Sequence, residues 1–282
     1  MELEEYKDKI IEVGLNKLKD SSLTRDIKIV AEGDSWFNYH IQKDVIDFLI
    51  EKGYGIDKRR NLAKAGDTLE NMVYGMRYKI KHDERTVINY GDESLQETLS
   101  MIDRYNPKFV LFSAGGNDVV GEELINYLNH SKSELPILKK EIFFNNVNGP
   151  IKLAIEHFIK KVLSIKSDIH ILMDGYDYAK PNGKSVARIR GPWILKSMGK
   201  KGIVDRAEQN NIIKIMVDIF NEMLNDLSNE YPNFHYINLR NMFPNENQWH
   251  NEIHLKSDGY KQVAQKYHDK IVEILGYDPT NN

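Results

Sequence analysis

Ile27-Lys28-Ile29-Val30-Ala31 runs into Glu32-Gly33-Asp34-Ser35-Trp36, an apolar, β-branched stretch that stops at a glycine and gives way to small polar residues. Phe109-Val110-Leu111-Phe112 does the same, ending in Gly115-Gly116-Asn117-Asp118. In a parallel sheet the strands are buried and the loops beyond their carboxyl ends converge, so polar residues at two such ends are placed for chemistry. The first end offers a hydroxyl and the second a side-chain amide. Trp249-His250-Asn251-Glu252-Ile253-His254, just before an amphipathic C-terminal stretch, supplies the histidine that a serine hydroxyl needs.

Working outward, strands are expected at about 27–32, 108–113, 168–173 and 233–238, with a more polar fifth near 54–62. Helical spacing marks 43–52, 67–80, 92–105, 151–166 and 207–229, and apolar positions Ile10, Ile11, Val13, Leu15 and Leu18 predict a further helix within 1–19. Strand-helix alternation predicts an α/β fold, a parallel sheet with right-handed crossovers and helices on both faces. No linker divides the chain, so residues 1–282 are expected to form one domain. Residues 175–206 break the alternation with seven Gly and Pro and with eight basic against two acidic residues. Leaving the same sheet edge as Ser35 and Asn117, this segment is expected to be a basic loop or lid whose Arg190 and Trp193 contact substrate.

Composition narrows the function classes. With 282 residues and 41% hydrophobic content a sizeable core can form. Without cysteine there is no disulfide, thiolate nucleophile or thiolate metal site. A net charge of −3 gives no global attraction to nucleic acid or to an anionic membrane. The acidic start Met1-Glu2-Leu3-Glu4-Glu5 lacks the pattern of a secretory signal, and no apolar run is long enough to span a bilayer. The expectation is a cytoplasmic protein with no stable membrane insertion. Neither phosphate-binding glycine loop is present, and no metal centre or cofactor is expected.

Gly33-Asp34-Ser35, then Asn61-Leu62-Ala63-Lys64-Ala65-Gly66, then Gly115-Gly116-Asn117-Asp118, then a C-terminal block ending at His254, resemble in order the SGNH or GDSL-type hydrolases. The resemblance spans most of the chain and implies a flavodoxin-like three-layer α/β/α sandwich with about five parallel strands. It further implies ester hydrolysis through an acyl-enzyme on Ser35, with His254 as base. The oxyanion would be held by the backbone N–H groups of Ser35 and Gly66 and the side-chain amide of Asn117. Gly66 also has a direct physical argument, since a residue without Cβ tolerates positive φ and lets an oxygen approach its backbone.

The remaining residues of the blocks have supporting roles. Asp34 and Asp118 are expected to brace nearby backbone N–H groups, with Asp118 also a candidate substrate contact; His250, one turn before His254, is expected at the rim. One position departs from the resemblance. Three residues before the histidine, where the family usually has Asp, this chain has Asn251. An amide oxygen accepts the imidazole N–H but brings no charge, so Asn251 is expected to orient His254 in what is effectively a Ser-His dyad. The expected substrate is a small-molecule, lipid or carbohydrate ester, its acyl and alcohol parts unspecified. The alternatives are a binding protein with a degenerate site and an acyltransferase that uses the same acyl-enzyme.

Overall fold

Alternate residues of each strand in the parallel sheet pack into different layers, and this sorts the whole molecule. The computed structural model describes residues 28–56, 61–75, 78–81, 86–89, 93–186 and 191–280. Its strands, in chain order, are β1 (Ile29–Gly33), β2 (Tyr78–Lys81), β3 (Thr86–Asn89), β4 (Phe109–Ser113), β5 (His170–Asp174) and β6 (Phe234–Ile237). The helices are α1 (Val45–Lys52), α2 (Leu69–Tyr74), α3 (Glu93–Tyr105), α4 (Lys140–Asn146), α5 (Lys152–Ile165), α6 (Leu195–Lys200), α7 (Arg206–Glu230) and α8 (Ser257–Leu275).

β1, β4, β5 and β6 form one parallel sheet in the order β1-β4-β5-β6, with Ile29 opposite Phe109, Phe109 opposite His170 and Ile171 opposite Phe234. On one face Val30, Val110, Phe112, Ile171 and Met173 pack with apolar residues of α2, α3, α4, α5 and α7. On the other, Ile29, Ala31, Phe109, Leu111 and Leu172 pack with α1 and α8. Period-2 alternation in strands buried on both sides therefore yields three layers, an α/β/α sandwich. Of the fifth strand expected near 54–62, residues 57–60 lie outside the described residues, and the described ones make two parallel bridges, Lys28 to Gly55 and Ala31 to Asn61, along the outer edge of β1. The chain thus leaves β1 toward one side and returns through β4 on the other. The carboxyl ends of β1 and β4 flank the switch point where α/β sheets bind ligands.

The structure corrects the expected helix over 67–80. It ends at Tyr74, where the Gly75 N–H closes back on the Asn71 carbonyl. Tyr78–Lys81 then pairs antiparallel with Thr86–Asn89 in a separate two-stranded sheet. The 175–206 segment is not wholly loop, because it holds α6 and leads into α7 at Arg206. The expected helix within 1–19 lies outside the described residues, as does Arg190. Among the described residues no helix is long and apolar enough to cross a membrane.

Candidate active site

Gly33 ends β1, and the backbone turns at once: the Phe37 and Asn38 N–H groups both bond to the Asp34 carbonyl. Ser35 caps no helix, since α1 begins only at Val45 and is capped by Asp44. The Ser35 side chain instead meets His254, with Oγ 2.8 Å from Nε2. His254 is carried by a tight hairpin in which Trp249 and Leu255 form an antiparallel bridge and the His250 N–H bonds to the His254 carbonyl. Trp36 ties the two loops together through Nε1–H donated to the Ile253 carbonyl, 3.1 Å.

Asn251 Oδ1 lies 2.9 Å from His254 Nδ1 and also accepts the backbone N–H groups of Ile253 and His254, at 3.1 and 3.0 Å. Its Nδ2 donates to the Tyr39 hydroxyl, 3.2 Å, and that hydroxyl lies 2.7 Å from His250 Nδ1. Two backbone donors on Oδ1 fix the amide orientation, because the opposite one would face NH2 toward N–H. His254 Nδ1 therefore carries the hydrogen, and Nε2 is left as acceptor for the Ser35 hydroxyl. The ring of His254 is stacked on Tyr39 at 4.3 Å and meets the edge of Trp193 at 5.6 Å. Burial between these groups, helped by nearby His250, depresses its pKa to about 3. The imidazole is neutral at neutral pH and can take a proton.

Gly66 has φ +83 and open space where a Cβ would stand. It lines a cavity of about 500 Å³, mouth included, together with Ser35, Asn117, Trp193 and His254. Asn117 Nδ2 donates to the Asp67 carbonyl, 2.8 Å, which aims the amide. Asp34 accepts from the Trp36 N–H at 2.9 Å and from the Tyr176 hydroxyl at 2.7 Å, and burial raises its pKa to about 7. The pair Gly115-Gly116 is explained by close packing: a Cβ at either would come within 2.9 Å of the rings of Phe220 and Tyr176 respectively. Asp118 acts as a helix cap, the bracing role expected of it. Its carboxyl oxygens accept the Leu69 and Glu70 N–H groups at the start of α2, and it lines neither cavity beside Ser35. His250 contacts Tyr39 and not Ser35.

Three residues at the site are not among those the sequence singles out for it. Tyr39 holds both Asn251 and His254. Tyr176, just after β5, braces Asp34 and accepts the Gly116 N–H at 3.3 Å; its position beyond a strand end was the available clue. Glu252, fully buried, accepts the N–H groups of Gly183, Ile194 and Leu195 at 3.1, 2.7 and 2.9 Å. The Lys180 N–H bonds to its carbonyl at 2.9 Å. The segment that covers the site is thus fastened from within to the histidine loop. Among the described residues no three His, Asp or Glu side chains group as metal ligands do.

The sequence matches the family model described as GDSL-like lipase/acylhydrolase over residues 21–267. No curated protein matches it significantly. Among solved structures, the extracellular lipase from Streptomyces rimosus shares 12% identity with a TM-score of 0.52, the match covering 85% of this chain and 98% of that one. The Clostridium thermocellum family 3 carbohydrate esterase shares 15% identity with a TM-score of 0.49, over 88% and 96% of the two chains. At these identities the lipase likeness is one of fold.

Proposed function

We propose, from the premise that the chain belongs to the GDSL-like lipase/acylhydrolase family and is a hydrolase of ester bonds, that Ser35 is its nucleophile and His254 its general base. The observation that carries this is the 2.8 Å contact between Ser35 Oγ and the unprotonated Nε2 of a buried, neutral imidazole. As Oγ attacks the ester carbonyl carbon, its proton passes to His254 Nε2 and the carbonyl oxygen becomes an oxyanion. The Ser35 and Gly66 N–H groups and the second N–H of Asn117 Nδ2 receive that charge, each preorganised donor contributing about 3 kcal/mol. The carbon–alcohol oxygen bond then breaks, and the alcohol leaves with the proton from Nε2. Water repeats the sequence on the acyl-enzyme, giving the carboxylic acid and free Ser35.

Asn251 orients His254 without a charge, and Trp193 forms a wall for the departing alcohol. The substrate class is a small-molecule, lipid or carbohydrate ester, and all of residues 1–282 are assigned to one domain. A fluorophosphonate should label Ser35 and block hydrolysis of p-nitrophenyl esters, and Ser35→Ala should abolish both. Labelling at another residue, or full activity in the alanine variant, rejects the assignment. A product burst followed by acyl transfer to an added alcohol in preference to water would favour the transferase reading.

A further inference from the structure

A second cavity opens on Ser35, and its walls differ from those of the first. It holds about 730 Å³, mouth included, between α4, α7 and the covering segment, and it is lined by Val119, Phe143, Ile213, Met216, Val217 and Phe220 among other residues. Ser35, Asn117 and Ile253 line both cavities, so the hydroxyl stands where the two meet. His254 and Gly66 line only the smaller one.

The tetrahedral carbon formed on Ser35 has three substituents besides Oγ. The oxyanion must face Gly66 and Asn117, and the departing alcohol oxygen must lie within reach of His254 Nε2, which returns its proton. Both requirements direct these substituents toward the smaller cavity, and the one left, the acyl carbon, faces the larger. We propose that the larger cavity is the acyl-chain site and that the enzyme prefers unbranched acyl chains of several carbons to acetyl. This rests on the hydrolase reading above. The apolar side chains of α4 and α7 that line this cavity present an acyl chain with hydrocarbon and not with water. The apolar walls reward each added methylene, since about 0.8 kcal/mol per buried CH2 is roughly fourfold in kcat/KM.

The test is a series of p-nitrophenyl esters from acetyl to dodecanoyl, in which the leaving group is constant. The expected result is a kcat/KM that climbs by at least about 10²-fold from acetyl to octanoyl. Met216→Trp, which fills the larger cavity, should lower the octanoyl-to-acetyl ratio at least about tenfold. Val119→Phe, at a half-buried wall, reads the same ratio should the tryptophan variant fail to fold. Acetyl ester as the best substrate, or an octanoyl-to-acetyl ratio unmoved in both variants, overturns the acyl-site assignment while leaving the hydrolase reading in place. Failure to hydrolyse any ester together with failure of a fluorophosphonate to label Ser35 overturns the hydrolase reading, and the inference falls with it.

Discussion

The loop after β1 and the loop before α8 hold the two ends of the Ser35–His254 hydrogen bond by different means. Behind Ser35 stands Asp34, a buried carboxyl that takes donors from Trp36 and Tyr176 and whose pKa burial raises to about 7. Behind His254 stands Asn251, which takes three donors on one oxygen and carries no charge at any pH. The serine loop is short and closed by its own backbone. The histidine loop is held by long-range side-chain bonds from Tyr39 and Trp36 and through Glu252. In this site, orientation and charge are separate properties: the imidazole has a complete orienting shell but lacks an adjacent anion.

The severest break of the comparison is removal of the imidazole. His254→Ala should lower kcat for a p-nitrophenyl ester by about 10⁴-fold or more, and adding Ser35→Ala should cost little beyond that, because residues acting as one unit are not additive. Steady-state kinetics of the single and double variants checks this; losses that multiply would mean the two residues act separately.

Next in size is the anchor. Glu252→Ala leaves the buried Ile194 N–H and the part-buried N–H groups of Gly183 and Leu195 without their acceptor, and at about 1–3 kcal/mol for the buried one and less for the others a few kcal/mol of stability should be lost. Thermal unfolding measures that loss. Glu252→Gln keeps one acceptor oxygen and should lose less. An unchanged Tm in the alanine variant would show that the covering segment is held by other contacts.

How much of this was legible in the sequence follows from the range of each signal. Gly33-Asp34-Ser35 and Gly115-Gly116-Asn117 are local: an apolar run breaking into small polar residues marks a strand end, and the structure brings Ser35, Gly66, Asn117 and His254 to one cavity. The four main strands and the layers were likewise written in local alternation. Tyr39, Tyr176 and Glu252 were not, because a tyrosine whose partner lies 142 or 212 residues away leaves no periodic trace. Tyr78–Lys81 was misread because its apolar positions continue the spacing of α2, while its pairing with Thr86–Asn89 depends on a partner strand. Asp118 was legible as a brace for backbone N–H groups, but that these belong to Leu69 and Glu70, about fifty residues earlier, is set by the position of α2.

Asn251→Asp sharpens the comparison by giving the histidine loop the charge it lacks. The new carboxylate would keep the three donors and accept the Tyr39 hydroxyl, which now faces His250. A charge-assisted bond is roughly twice as strong as a neutral one, so turnover on simple esters should rise by about tenfold. The same charge favours imidazolium, so the His254 pKa should rise from its depressed value of about 3. The acid limb of kcat/KM against pH should then move upward. In the parent protein His254 sets no acid limb near 6.5. An unchanged rate with an unmoved limb would mean that Asn251 does not govern the imidazole.

The smallest effect is expected from the converse change, Asp34→Asn, which puts a neutral amide behind Ser35 as well. Asp34, with a pKa raised from 3.8 to about 7, holds a proton in the folded state that the unfolded chain has lost over that range. Its contribution to stability is present below about pH 4 and disappears as pH rises to about 7. Glu32 is raised in the same sense to about 8, and Asp118 and Asp174 to about 6. His254 acts oppositely: depressed from 6.5 to about 3, it stabilises above 6.5 and loses that contribution as pH falls toward 3. Between about pH 4 and 6.5 the two kinds of group offset each other, whereas between 6.5 and 8 only the carboxyls still titrate. Tm of the parent protein should therefore fall as pH rises from 6.5 to 8. An amide at position 34 imitates the protonated acid, so Asp34→Asn should flatten part of that fall while Glu32 maintains the rest, with turnover at pH 8 staying within a few-fold of the parent. Thermal unfolding of both proteins across pH 5 to 9 decides the matter. Parallel curves would mean that Asp34 takes up no proton on folding, and the contrast drawn between the two loops would reduce to hydrogen bonding alone.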